Sequence, residues 1–88
     1  MNVINLDYIA SYPLLPAVQQ AMIDAIREDY VNPSSQHQLG DKAAEVLAGA
    51  RDQVALLVNA PSAKEIVFNS GGTESVNHAI KGVALANA

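Results

Sequence analysis

Four consecutive residues, Ser70-Gly71-Gly72-Thr73, have the composition of a loop that holds an anion. They follow Glu65-Ile66-Val67-Phe68-Asn69, which reads as a strand, and precede a run with helical spacing. A helix N-terminus presents free backbone N–H groups and a partial positive charge, so a phosphate there is stabilised. Gly71 and Gly72 let the main chain approach a ligand closely and give access to positive φ. Thr73 offers an N–H and a hydroxyl, and Ser70 a second hydroxyl. A second physical account fits the same residues: a tight turn in which Thr73 is the helix N-cap. Two better-known phosphate loops are excluded. No Lys follows the glycines as in a P-loop, and the third glycine and later acidic residue of the dinucleotide fingerprint are missing.

Other chemically capable residues are scattered. His37 and His78 have no ligand spacing between them, and the chain has no cysteine, so no metal site is expected. The missing thiol also excludes disulfides and a cysteine nucleophile within these residues. His37 stands near a helix start and His78 on the polar side of a helix. Glu74, in the first turn of the last helix, interacts favourably with the helix dipole. A carboxylate beside a phosphate would repel it, so the Glu74 side chain is expected to point away. Arg51 reads as a surface or salt-bridge residue, Asp7 as a turn or cap residue or a contact to a partner chain. Lys42, Lys64 and Lys81 read as solvated.

The elements that must position the loop follow from spacing. Asn2–Ile9 is a short extended piece. A first helix is expected from about Pro16 to Asp29, because proline suits a first helical turn and Val18, Met22 and Ile26 form one apolar face. Asn32-Pro33-Ser34-Ser35 is a break. A second helix runs from about His37 or Asp41 to Val58, with Leu47, Ala50, Val54, Leu57 and Val58 on its stripe, and ends before Pro61. Glu65–Asn69 is apolar without alternation, the pattern of a strand covered on both faces. A third helix starts near Thr73 with Val76, Ile80, Val83 and Ala84 as its stripe. A lone strand leaves N–H and C=O groups unpaired, and no closing signal follows the third helix. These residues are therefore expected to be part of a longer chain.

Composition narrows the class. The sequence has 88 residues, half of them apolar, and a formal net charge of −4. Such a chain is not disordered in character, holds one domain at most, and buries little surface alone. No basic stripe exists for nucleic acid. Neither a signal peptide nor an apolar run of membrane-spanning length is visible, so a soluble, cytoplasmic protein is expected.

Several pieces in order carry a family resemblance. They are Asn5-Leu6-Asp7-Tyr8, then Asn32-Pro33-Ser34-Ser35-Gln36-His37, Gly40 and Ala50-Arg51. Next come Ile66-Val67-Phe68-Asn69-Ser70-Gly71-Gly72-Thr73-Glu74-Ser75, Asn77, and Ala79-Ile80-Lys81-Gly82. The series resembles the amino-terminal stretch of cysteine desulfurases, in the class V aminotransferase group of pyridoxal-phosphate enzymes, over essentially the whole chain. The resemblance implies an α/β fold of fold type I, here an amino-terminal fragment that is mostly helical with one or two strands. It implies a small-domain side over residues 1–62 and the start of the large cofactor-binding domain over 63–88. It implies pyridoxal 5'-phosphate as cofactor, with Gly72 and Thr73 matching the pair that binds its phosphate and Gly71 as a neighbour.

The implied reaction takes sulfur from L-cysteine, or acts on a related small amino acid, giving alanine and an enzyme persulfide. A sulfur-acceptor or scaffold partner, iron-sulfur cluster assembly and a homodimer of the full-length protein belong to the same implication. His37 would lie near the active site or dimer interface. The Schiff-base lysine and persulfide cysteine have no counterpart in these residues, so the isolated segment is expected to be inactive. The family's early Asn-Ala-Thr-Thr-like run is replaced by Tyr8-Ile9-Ala10-Ser11-Tyr12, which leaves the substrate open. A different class of function also fits: a non-catalytic helical interaction module, or a decayed paralogue of the family.

Overall fold

The computed structural model describes residues 2–88. Their order is α1 (Pro16–Glu28), α2 (Gln38–Leu57), a short 3-10 turn (Ala63–Glu65) and α3 (Gly72–Ala86). The chain divides into two compact units, Met1–Ala48 and Gly49–Ala88, with the boundary inside α2.

In the first unit, the Asp7 carbonyl accepts from the Ala10 and Ser11 N–H groups, so the leading segment turns rather than extending to Ile9. The Tyr8 and Tyr12 rings meet edge to face, 5.0 Å apart. Pro16 opens α1 after extended Leu15, as its fixed φ favours. The break before α2 is built from its own side chains. The Asn32 side-chain oxygen accepts from the Ser34 N–H at 2.9 Å, and the Asn32 carbonyl from the Ser35 N–H at 3.0 Å.

In the second unit, α2 ends in a Schellman motif. Asn59 takes the left-handed conformation, φ 57°, while its N–H reaches the Leu56 carbonyl and that of Ala60 the Ala55 carbonyl. Asparagine tolerates this φ where most residues do not. Ser62 accepts from the Lys64 N–H and starts the 3-10 turn.

The expected strand is not formed: among the described residues there is no strand at all. Ile66 is extended, with φ −95° and ψ 121°, and the segment from there to Asn69 runs without a ladder. A strand is defined by its neighbour's hydrogen bonds, and no second strand lies beside this one. The α/β expectation of one or two strands is corrected to three helices and a 3-10 turn.

The apolar stripes stand on the helices as their spacing requires, but they are uncovered. Ala43 and Ala55 are the buried apolar side chains; Met22, Ile80 and Val83 are half to two-thirds exposed. The accessible surface is 7863 Å² for 9.3 kDa. A compact monomer of that mass shows about 5,000 Å², and two separate compact halves about 6,000 Å² in all. The exposed apolar side chains stand both on the helices and in the leading segment, where Ile4, Leu6 and Ile9 are almost fully exposed. Among the described residues, no helix is long and apolar enough to cross a membrane.

Candidate functional site

The candidate loop overlaps the start of α3, with its last two residues inside the helix, and it works differently in detail. Gly71 is the N-cap, Gly72 and Thr73 the first two helical residues, and no side chain caps the helix. Thr73 as N-cap is thus corrected: the N-cap position falls two residues earlier, at Gly71. Gly71 is extended, with φ 160° and ψ −174°, and neither glycine takes the left-handed conformation. Their value is space, since a Cβ built on Gly71 or Gly72 meets no other atom within 4 Å.

The first helical hydrogen bond at this end is from the Ser75 N–H to the Gly71 carbonyl. The N–H groups of Gly72, Thr73 and Glu74 find no acceptor among the described residues, and neither does the Thr73 hydroxyl. Three free N–H groups in the first turn, a hydroxyl and an unobstructed approach form a donor set suited to a phosphate.

Three neighbours shape the loop. The Asn69 side-chain oxygen accepts from the Gly71 N–H at 3.3 Å and from the Ser75 hydroxyl at 2.8 Å. Glu74 folds back rather than pointing away. Its carboxylate accepts from the Ser70 N–H at 2.9 Å and from the Ser70 hydroxyl. This resembles a capping box displaced by one residue, with the carboxylate satisfying two Ser70 donors. The Ser70 hydroxyl is consequently committed to Glu74 and not offered to a ligand. The two Ser70 hydrogen bonds hold the Glu74 carboxyl below the usual carboxylate range; His78, one turn on, adds to the effect.

Arg51 lies in α2 but belongs to this region. Its Nη1 donates to the Ile66 carbonyl at 2.7 Å, and its guanidinium carbon stands 5.1 Å from the centre of the Phe68 ring. It is half-buried, and the expectation of a surface or salt-bridge residue is replaced by a bond to main chain. No local pattern in the sequence announces it, because its partner is fifteen positions away. Asn69 had a signal: an Asx residue two places before an N–H that needs an acceptor.

His37 lies in the other unit and is the N-cap of α2, its Nδ1 accepting from the Gly40 N–H at 3.2 Å. The spacing of three is the ordinary capping one, with imidazole in place of a hydroxyl. Gly40 is required there: a Cβ would stand 2.0 Å from the Ser35 carbonyl oxygen. His78 is exposed on α3. No group of three or more potential metal ligands gathers among the described residues.

Comparison with known proteins places this geometry in context. A family model described as aminotransferase class-V matches residues 4–87. The chain is 46% identical over 83 residues to cysteine desulfurase IscS of Dictyoglomus turgidum, covering 94% of this chain and 21% of that protein. It is 52% identical over 84 residues to cysteine desulfurase IscS of Pseudomonas savastanoi, covering 92% and 20%. It is 41% identical over 80 residues to selenocysteine lyase of Bos taurus, covering 91% and 18%. The chain thus spans about a fifth of the length of the curated relatives it matches. No solved structure matches it significantly.

Proposed function

The chain belongs to the aminotransferase class-V family, and on that premise we propose that it is the amino-terminal part of a pyridoxal-phosphate-dependent cysteine desulfurase-like enzyme of fold type I. The observation that carries the proposal is the open first turn of α3, where the N–H groups of Gly72, Thr73 and Glu74 and the Thr73 hydroxyl are free. Gly72 and Thr73 would hold the cofactor phosphate, and Gly71 would keep the approach clear. The bound cofactor would supply an electron sink, while this segment binds and orients it.

The substrate in this reading is L-cysteine or a related small amino acid. With a thiol elsewhere in the enzyme, L-cysteine gives L-alanine and an enzyme persulfide, the sulfur passing to that thiol. A relative named selenocysteine lyase keeps the selenium analogue within the substrate class. A homodimer, a sulfur-acceptor or scaffold partner serving iron-sulfur cluster assembly, and a cytoplasmic location complete the reading. So does the assignment of residues 1–62 to the small-domain side and 63–88 to the large domain.

These 88 residues contain no cysteine, and their three lysines are not placed at the open turn. The segment by itself is therefore inactive in this reading. Isolated, it is expected to release no sulfide from cysteine with added cofactor, and turnover would contradict that. The uncovered stripes on α1 and α3 favour a second reading, a helical module that binds another chain without chemistry.

Cofactor titration of the protein as its gene encodes it separates the two. The enzyme reading expects pyridoxal phosphate to bind at least about tenfold more tightly than pyridoxal, the value of hydrogen bonds to a charged group. The module reading expects neither to bind.

A further inference from the structure

We propose that Arg51 is a positioning residue for the phosphate turn, acting through the segment Ile66–Asn69; the proposal rests on the reading of the α3 N-terminus as a phosphate site. The segment leading into the turn has no ladder among the described residues. Something else must fix its path, because free N–H groups bind an anion well only when they are held in place beforehand.

Arg51 supplies two restraints from one planar group. Its Nη1 bonds the Ile66 carbonyl at 2.7 Å, and its guanidinium lies 5.1 Å from the Phe68 ring centre. The Ile66 carbonyl and the Phe68 ring are two residues apart, both within reach of one guanidinium. A single side chain can therefore pin both. Guanidinium suits this double task, donating along its plane and stacking on its face; a lysine ammonium has no such plane.

The restraint continues into the turn. Asn69 follows Phe68 directly, and its side-chain oxygen ties the Gly71 N–H and the Ser75 hydroxyl. A shift of Phe68 would drag Asn69, and with it the start of α3 whose N–H groups face the phosphate. Arg51 itself touches neither Gly72 nor Thr73 by any hydrogen bond, which makes its action indirect.

The test uses the protein as its gene encodes it, with two probes, pyridoxal phosphate and pyridoxal, and the melting temperature as control. For Arg51→Met, the affinity for pyridoxal phosphate is expected to fall about tenfold while that for pyridoxal stays within about twofold, because only the first uses the turn. Arg51→Lys, which keeps a donor for Ile66 but loses the stack, is expected to fall between. Should Arg51→Met not fold, Phe68→Leu removes the stack alone and is expected to cost about twofold to fivefold for pyridoxal phosphate only. Equal losses for both probes, or no loss for either, would overturn the positioning role. A wild-type protein that binds both probes equally would overturn the phosphate reading itself, and the role with it.

Discussion

The N-termini of α2 and α3 both lie among small polar residues and glycine, yet the first is closed at one N–H by a side chain and the second has no side-chain cap. At α2, His37 caps the Gly40 N–H and the Ser35 carbonyl fills the space where a Gly40 side chain would be. At α3, no side chain caps the helix and nothing stands near Gly71 or Gly72. The same residue type thus does opposite things: Gly40 permits close packing, whereas Gly71 and Gly72 keep a surface clear. A glycine beside a helix start signals an anion site only when the helix has no partner of its own for its first N–H groups.

Substitution by alanine breaks this contrast most sharply. Gly40→Ala forces a Cβ to 2.0 Å from the Ser35 oxygen, and relief of such overpacking costs about 1–3 kcal/mol. Gly72→Ala meets open space and is expected to leave helix content unchanged or slightly raised, by up to about 0.5–1 kcal/mol. Thermal melts followed by circular dichroism compare the two, and equal losses would erase the difference between the helix starts.

Removing single donors comes next. Thr73→Val takes away the free hydroxyl and is expected to weaken pyridoxal phosphate binding about tenfold with little change in melting temperature. At the closed end, His37→Ala removes the cap and is expected to cost about 1 kcal/mol of stability, the usual value for a lost N-cap. It should leave cofactor affinity untouched if the loop is only a structural closure.

The smallest expected effect is in acid. The Glu74 carboxyl is held below its ordinary range by Ser70. A group whose folded pKa is depressed stabilises the fold above its unfolded pKa, and that contribution is lost as pH falls through the folded value. The start of α3 should therefore loosen only at pH below the usual glutamate range, seen as a fall in the protection of the Ser70 amide relative to its intrinsic exchange rate at each pH. Glu74→Gln should abolish that pH dependence.

Much of this was legible in the sequence, and the failures have physical causes. The three helices follow from apolar residues three and four apart and from Pro16, whose consequences are local. Pro61 marks the end of α2 in the sequence, although Asn59 in the left-handed conformation does the terminating. Glu65–Asn69 has the composition of a strand, but composition supplies no partner, and the segment is held by Arg51 instead. The choice between a capped turn and an anion cradle could not be made from Ser70–Thr73 alone. The structure puts Gly71 rather than Thr73 at the N-cap position and commits the Ser70 hydroxyl to Glu74, two features that no spacing within these four residues announces. The apolar stripes have the spacing of faces that pack on something, and among the described residues Met22, Ile80 and Val83 stay half to two-thirds exposed.

The central claim is that the open α3 start holds a phosphate while the closed α2 start does not. Amide NMR of glycine-labelled protein, as its gene encodes it, tests this directly during titration with pyridoxal phosphate. The account predicts large shifts at Gly72 and smaller ones at Gly71, with Gly40 unmoved. Shifts at Gly40 equal to those at Gly72, or a titration that leaves all three in place, would contradict it.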